Sequence, residues 1–161
     1  MTINRVQFTS RRQAELLPGN PSTAVISITD PGTPEANLCT DFKDVLRLSF
    51  YDAVPADEYQ PAPKGLFDHL IARQVGSFVH KLRDDPADIS VMVHCEYGVS
   101  RSAAVALFVE AYAKAPLAAR EFAYDANQWV VDRLLSQYHD LQIDIPPPDA
   151  AHDRRTQPRI D

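Results

Sequence analysis

The chain alternates short runs of apolar, often β-branched residues with longer segments in which apolar residues recur at helical spacing. Runs of the first kind predict buried strands, and segments of the second kind predict amphipathic helices. The predicted strands are 3–8, 23–29, 44–50 and 89–93, and the predicted helices are 11–17, 64–83, 102–115, 116–123 and 126–139. Strands that alternate with helices predict an α/β fold, here a mainly parallel sheet of four to five strands flanked by helices.

The periodic part of the chain ends well before its last residue. The 161 residues fit one globular domain with a single sizeable core. From Ile143 onward, the run Pro146-Pro147-Pro148 and the residues after it show no periodicity. We therefore expect one domain over 1–142 and a Pro-rich, polar tail over 143–161 that is extended or disordered.

Composition and charge narrow the classes of function. A net charge of −6 disfavours nucleic-acid and anionic-membrane partners, which usually bind a basic surface. The two cysteines, Cys39 and Cys95, make neither a disulfide framework nor a metal-binding pattern. The sequence shows no signal-peptide pattern at Met1 and no apolar run of membrane-spanning length. We expect a cytoplasmic protein without metal or cofactor.

The stretch 91–102 combines structure and chemistry most clearly. An apolar run ends at Cys95, Gly98 permits a tight turn, and an Ala-rich helical pattern begins directly after Arg101. In parallel sheets, ligands bind at the carboxyl ends of strands, and backbone N–H groups at a helix start can bind an anion. A helix N-terminus and a nearby cation favour the nucleophilic thiolate, and arginine can bind two oxygens of a tetrahedral anion. The stretch therefore predicts nucleophilic attack on a bound oxyanion, with Ser102 able to hydrogen-bond the sulfur.

The run His94-Cys95-Glu96-Tyr97-Gly98-Val99-Ser100-Arg101-Ser102 resembles the HCxxGxSRS signature of the cysteine-dependent protein tyrosine phosphatases. The small size of the chain resembles the dual-specificity branch of that superfamily, and a looser resemblance extends over 44–138. The resemblance implies a tyrosine phosphatase-like fold and metal-independent hydrolysis through a phosphocysteine intermediate. It implies phosphotyrosine in a protein or peptide as the substrate, and it leaves phosphoserine and phosphothreonine open as further substrates.

The resemblance also implies a role for each residue of the loop. Cys95 is the expected nucleophile, Arg101 binds the phosphoryl group, Ser102 assists breakdown of the intermediate, and His94 tunes the cysteine. Phosphate, or vanadate in its place, would be bound by loop amides. These amides belong to Glu96, Tyr97, Gly98, Val99, Ser100 and Arg101.

The reaction also needs a proton donor for the departing oxygen. In the family this is an aspartate in the loop after the preceding strand, which leaves Asp52 and Asp57 as candidates here. We favour Asp52, because it follows the strand closely, as the family's acid does. Asn127 resembles the asparagine that opens the last helix and supports the catalytic loops, although Ala126 replaces the proline that usually precedes it.

Two other functions are compatible with the same motif. The substrate could instead be a phosphoinositide, a nucleotide or an RNA 5′-phosphate, although Glu96 inside the loop disfavours polyanions. A catalytically weak phosphate-binding adaptor would bind phosphopeptides without turnover. Cys39 matches no position of the family pattern, so an inert thiol is favoured over a redox partner of Cys95.

Overall fold

The computed structural model describes residues 2–55 and 64–149, which form an α/β fold. Four strands and four α-helices lie within these residues, together with one 3-10 helix. In chain order they are β1 (Thr2–Ser10), α1 (Arg11–Leu16), β2 (Thr23–Thr29), β3 (Asp44–Ser49), α2 (His69–Arg83), β4 (Asp88–Cys95), α3 (Arg101–Ala113), the 3-10 helix (Arg120–Asp125) and α4 (Gln128–Gln137).

The four described strands form one sheet in the order β1-β4-β2-β3, and every neighbouring pair is parallel. Strand β4 is central, and the side chains of Val91, Met92 and Val93 are fully buried. This burial explains why residues 91–93 are apolar without interruption rather than alternating with polar residues. Because all four strands run the same way, their carboxyl ends meet at one edge of the sheet, which holds Cys95.

Different helices pack on the two faces of the sheet. Helices α2 and α3 pack on one face, where Val91, Val93 and Cys95 join the main core, and α4 packs against these two helices. The short helix α1 and the segment after it cover the other face around Val25 and Met92. The predicted parallel α/β architecture is thereby confirmed. Among residues 2–55 and 64–149, no helix is both long and apolar enough to cross a membrane.

The helix predicted over 116–123 is wrong. The backbone at Pro116 and Ala118 instead hydrogen-bonds Val6 of the edge strand β1, at 2.9 Å in each direction. Ala119 then adopts a left-handed conformation with φ 54°, and the 3-10 helix follows it. The free backbone groups of an edge strand thus bind a segment that local sequence alone would make helical.

Two helices begin later than their sequence pattern predicts. Helix α2 begins at His69 rather than at 64, because the Asp68 side chain accepts a hydrogen bond from the Ile71 N–H and caps the helix. Helix α4 spans Gln128–Gln137 rather than 126–139, with Asn127 as its N-cap. Beyond α4, the described part of the predicted tail has no strand, and Ile143 and Ile145 in it pack against the main core.

Gly76 in α2 allows the ring of Tyr138 to pack against the helix backbone. A Cβ at position 76 would lie 1.6 Å from Tyr138 Oη and 2.4 Å from Cζ. We expect Gly76→Ala to lower the free energy of unfolding by about 1–3 kcal/mol, because this overlap outweighs a helix-propensity gain of roughly 1 kcal/mol. Urea denaturation measures the change.

Tyr138→Ala supplies the control for this prediction. In a double-mutant cycle, the cost of Gly76→Ala should largely disappear when Tyr138 is already alanine, since the overlapping ring is gone. An equal cost of Gly76→Ala in both backgrounds would show that the ring is not its cause.

Candidate active site

Cys95 is the last residue of β4, and its thiol points toward the start of α3. The side chain is buried, and Cys95 Sγ lies 3.1 Å from Ser102 Oγ. In the thiol form the S–H donates to this hydroxyl, whereas a thiolate would accept a hydrogen bond from it. The two groups therefore form a pair in which the hydroxyl can stabilise negative charge on sulfur.

The loop between Cys95 and α3 lies tightly against the end of β1. Gly98 has φ +70°, and a Cβ there would lie 2.5 Å from both Ser10 N and Thr9 C. A neighbouring contact joins the Arg11 N–H to the Glu96 carbonyl at 3.2 Å. Glycine is thus required at position 98 both for its backbone conformation and for the close approach of β1.

Arg101 begins α3 with only 3% of its surface exposed. Its Nη1 donates to the side chain of Asp30 and to the Phe50 carbonyl, each at 2.7 Å. Its buried Nε has no hydrogen-bond partner within the described part of the chain. One nitrogen of the guanidinium is thus fixed by the protein, while another is left to bind an acceptor.

Asp30 is the residue that sequence reasoning missed. It follows directly after β2 and forms an ion pair with Arg101, and its side chain is 39% exposed. Its carbonyl accepts hydrogen bonds from the Thr33 backbone and side chain, which fix the turn. The signal was its position: Asp30 stands at the carboxyl end of a strand next to β4, where functional residues of parallel sheets gather.

His94 lies on the opposite face of the sheet from Cys95. It is fully buried, and its Nε2 is 2.6 Å from the hydroxyl of Ser27 on the neighbouring strand. Its Nδ1 lies 3.3 Å from the carbonyl of Cys95. His94 therefore connects β2 to the backbone of the candidate nucleophile. Ser27, like Asp30, is a residue that the sequence analysis did not identify.

Burial lowers the pKa of His94 below its ordinary value of 6.5, although the hydrogen bond to the Cys95 carbonyl opposes this shift. The unfolded chain therefore binds the proton more tightly than the folded one, so stability rises with pH across the interval between the two pKa values. We expect the contribution of His94 to be complete above about pH 6.5 and to be lost on acidification, by at most about 1.4 kcal/mol per pH unit.

Urea denaturation of wild type and His94→Gln between about pH 7.5 and pH 5 tests this expectation. The wild-type stability should fall more steeply on acidification than that of the variant. Parallel curves for the two proteins would contradict it.

Asp52, the favoured proton donor, is held by two side chains. Its Oδ1 accepts hydrogen bonds from Ser100 Oγ and from Asn127 Nδ2, each at 2.8 Å. Asn127 Nδ2 also donates to the Ala53 carbonyl at 3.3 Å, while its Oδ1 caps α4 through the Val130 N–H at 3.1 Å. The loop of Cys95, the loop of Asp52 and the start of α4 are therefore joined at one carboxylate oxygen.

Ser100 has a different local role from the one its position suggests. It is the N-cap residue of α3, yet its side chain makes no capping hydrogen bond and its hydroxyl donates to Asp52 instead. An N-cap serine normally accepts a bond from the helix backbone, a contact worth about 1 kcal/mol. At Ser100 the contact between the two loops replaces this capping bond.

The remaining candidates lie at the margins of this cluster. Glu96 forms an ion pair with Arg11 at 3.7 Å, and Arg11 also pairs with Glu15 at 3.5 Å. Cys39 is a free, exposed thiol. Asp57, the alternative proton donor, lies outside the described residues. Within 2–55 and 64–149, no three His, Cys, Asp or Glu side chains are grouped to hold a metal ion.

The arrangement brings six of the predicted site residues together at the edge of the sheet where the strands end. They are Cys95, Arg101, Ser102, Asp52, Ser100 and Asn127. Comparison with models of protein families gives no match, and comparison with curated proteins gives none either. The case for a function consequently depends on the residues themselves.

Proposed function

We propose that the chain is a cysteine-dependent phosphatase that hydrolyses phosphotyrosine in proteins or peptides. The observation that carries the proposal is the state of Arg101. A guanidinium that is 97% buried, fixed through Nη1 and unpartnered at Nε, favours binding of an anion beside it. One short loop, which carries backbone N–H groups, joins Arg101 to the nucleophile Cys95.

In the first step, the Cys95 thiolate attacks phosphorus in line with the departing oxygen. A P–S bond forms while the ester P–O bond breaks, and Asp52 gives its proton to the tyrosyl oxygen. Oδ1 of Asp52 is held by Ser100 and Asn127, which leaves Oδ2 to carry the proton. Arg101 and the loop amides stabilise the charge on the phosphoryl oxygens.

In the second step, water attacks the phosphocysteine. The water oxygen bonds to phosphorus while the ionised Asp52 accepts a proton from that water, and the P–S bond breaks. The Ser102 hydroxyl, 3.1 Å from Cys95 Sγ, donates to the departing sulfur and makes it a better leaving group. Inorganic phosphate leaves, and the thiolate is restored.

We also propose that the protein works in a reducing compartment, of which the cytoplasm is the simplest choice. The mechanism requires an unoxidised thiol at Cys95, and both cysteines in the described chain are free. The acidic side chain of Glu96 next to the nucleophile favours a phosphoester of modest charge over a polyphosphorylated one.

Assays of the purified chain on p-nitrophenyl phosphate and a phosphotyrosyl peptide test the proposal. We expect turnover that persists in a metal chelator and stops in vanadate. Binding of the phosphopeptide without turnover would favour the adaptor function, and higher kcat/KM for a phosphoinositide or nucleotide would favour the non-protein substrates. Loss of activity in chelator would contradict the mechanism.

Asp30 is expected to act as a positioning residue for Arg101. Asp30→Asn keeps the shape but removes the charge that orients the guanidinium, so kcat/KM for p-nitrophenyl phosphate should fall about 10- to 100-fold. The affinity for vanadate should fall in parallel, because the same arginine binds it.

Glu35→Gln is the matched control for Asp30→Asn. Glu35 is another acid in the segment between β2 and β3, and it pairs with Arg47 at 3.7 Å rather than with Arg101. It should leave both measurements unchanged. If Asp30→Asn lowers thermal stability but alters neither kcat/KM nor vanadate affinity, Asp30 is a structural residue only.

A further inference from the structure

Exposed hydrophobic side chains are unevenly distributed over the protein. Among the described residues, six large hydrophobic side chains are exposed. Two of them, Leu16 and Leu70, lie on helices α1 and α2, outside the loops that carry Cys95 and Asp52. The other four lie on the two loops that carry Cys95 and Asp52, and we call them the site mouth. The site mouth consists of Tyr51, Val54, Tyr97 and Val99.

A contact between the loops brings together the two segments that carry these four side chains. Tyr51 and Val54 lie within two residues of Asp52, and Tyr97 and Val99 lie within three residues of Ser100. The hydrogen bond from Ser100 to Asp52, at 2.8 Å, joins the two segments. The two pairs of apolar side chains therefore lie on segments that adjoin at the candidate site.

Their exposure is not explained by packing within the protein. Tyr97 is 82% exposed and Val54 is 58% exposed. The ring of Tyr51 is fixed close to Gly65, where a Cβ would lie 2.9 Å from it, and the Tyr51 N–H donates to the Gly65 carbonyl at 2.7 Å. Clustered apolar groups that remain in water next to a polar site are typical of a surface that binds a partner.

The charges of the two loops indicate which partner this is. Residues 50–55 and 95–101 contain a single cation, Arg101, which is paired with Asp30, and they contain the acids Asp52 and Glu96. Arg11, which also reaches this loop, is paired with Glu96 and Glu15. On these two loops, acidic residues around a phosphate would therefore meet apolar and negative groups.

We propose that the site mouth binds apolar side chains that flank the phosphotyrosine, so that the chain selects phosphotyrosine in an apolar segment of a substrate protein. This inference rests on the proposed function and specifies its substrate. Tyr97 supplies most of the contact area, because it is the most exposed of the four side chains. Aromatic side chains of this kind often dominate the energy of an interface.

The test compares two phosphotyrosyl peptides of equal length, one with Leu, Val and Phe around the phosphotyrosine and one with Asp and Glu. For wild type, kcat/KM should be about tenfold higher for the apolar peptide. One well-buried side-chain contact is enough to produce a difference of this size. For each variant, kcat/KM on the apolar peptide is divided by its own value on p-nitrophenyl phosphate. Tyr97→Ser should lower this ratio about fivefold to tenfold.

Two further variants keep the test decisive. Val54→Ser should lower the same ratio in the same direction, and it provides a second reading if Tyr97→Ser does not fold. Leu70→Ser removes a side chain of comparable exposure, 57%, that lies on helix α2 outside the two loops, and it should leave the ratio unchanged. Equal rates on the two peptides, or equal ratios for Tyr97→Ser and Leu70→Ser, would overturn the inference.

Other occupants of the site mouth give different results. If it binds a second copy of the chain, the specific activity of wild type will fall as its concentration rises, and Tyr97→Ser will remove that fall. If it binds a lipid surface, wild type will co-sediment with phosphatidylcholine vesicles and Tyr97→Ser will not. Either result overturns the inference.

Absence of turnover on every substrate contradicts the proposed function itself, whereas turnover without peptide preference contradicts only this inference.

Discussion

Cys95→Ser is expected to lower kcat on p-nitrophenyl phosphate by at least roughly 10³-fold. A serine hydroxyl is a far weaker nucleophile than a cysteine sulfur, although it can keep the contact with Ser102. The variant should still bind vanadate, because Arg101 and the loop backbone are unchanged. Steady-state kinetics and vanadate titration measure the two properties separately.

The second cysteine of the chain provides the matched control. Cys39 is exposed, and Cys39→Ser should retain wild-type kcat and KM. Turnover by Cys95→Ser at a rate near that of wild type would show that the thiol is not the nucleophile. A comparable loss in Cys39→Ser would instead show that both thiols participate, as in protection of an oxidised nucleophile by a disulfide.

Asp52→Asn should lower kcat on phosphotyrosine by about 10²- to 10⁴-fold, because the amide cannot protonate the departing oxygen. The loss should be much smaller on an aryl phosphate whose phenol is strongly acidic, since that group leaves without a proton. Asparagine is similar in size and can still accept hydrogen bonds from Ser100 and Asn127. A set of aryl phosphates with graded leaving groups measures this dependence.

Asp57→Asn tests the alternative assignment in the same assays. If Asp52 is the proton donor, Asp57→Asn keeps wild-type rates on every substrate in the series. If the dependence on the leaving group appears in Asp57→Asn and not in Asp52→Asn, the roles of the two acids are reversed. An equal loss on all substrates in Asp52→Asn would assign Asp52 to positioning of the loops rather than to proton transfer.

Local pattern predicted the framework of the fold because each strand is bounded by clear signals. The range of β2 was predicted correctly, since Thr23–Thr29 is rich in β-branched residues and is followed by Asp30-Pro31-Gly32. A parallel sheet then places the carboxyl ends of β2 and β4 side by side. The position of the Cys95 loop at the edge where the strands end follows from that rule alone.

Contacts between distant segments were beyond the reach of the sequence. Asp30 lies in the turn that ends β2, but nothing in the local sequence shows that its side chain pairs with Arg101, 71 positions later. The helix predicted from Pro116 is wrong, because the Pro116 carbonyl accepts a hydrogen bond from the edge strand β1. Both contacts escape local reasoning for the same reason, because a local pattern does not specify which backbone or charged group will be opposite in space.

The loops of the candidate site show a third limit of local reasoning. The sequence offered Asp52, Ser100 and Asn127 as separate residues with separate roles. In the structure, one oxygen of Asp52 accepts from both other side chains at 2.8 Å. The N-cap serine of α3 donates to the neighbouring loop and makes no capping bond, a feature that no helix-propensity argument would anticipate.

The central claim is that a phosphoryl group passes through Cys95, and the Ser102→Ala variant tests it most directly. Removing the hydroxyl 3.1 Å from Cys95 Sγ should slow the second step more than the first. Denaturing quench during turnover, followed by mass spectrometry of the digested chain, should then find one phosphoryl group on the peptide containing Cys95, with a matching burst of released phenol. A phosphoryl group on another residue, or turnover of wild type and variant with neither burst nor adduct, would contradict the account.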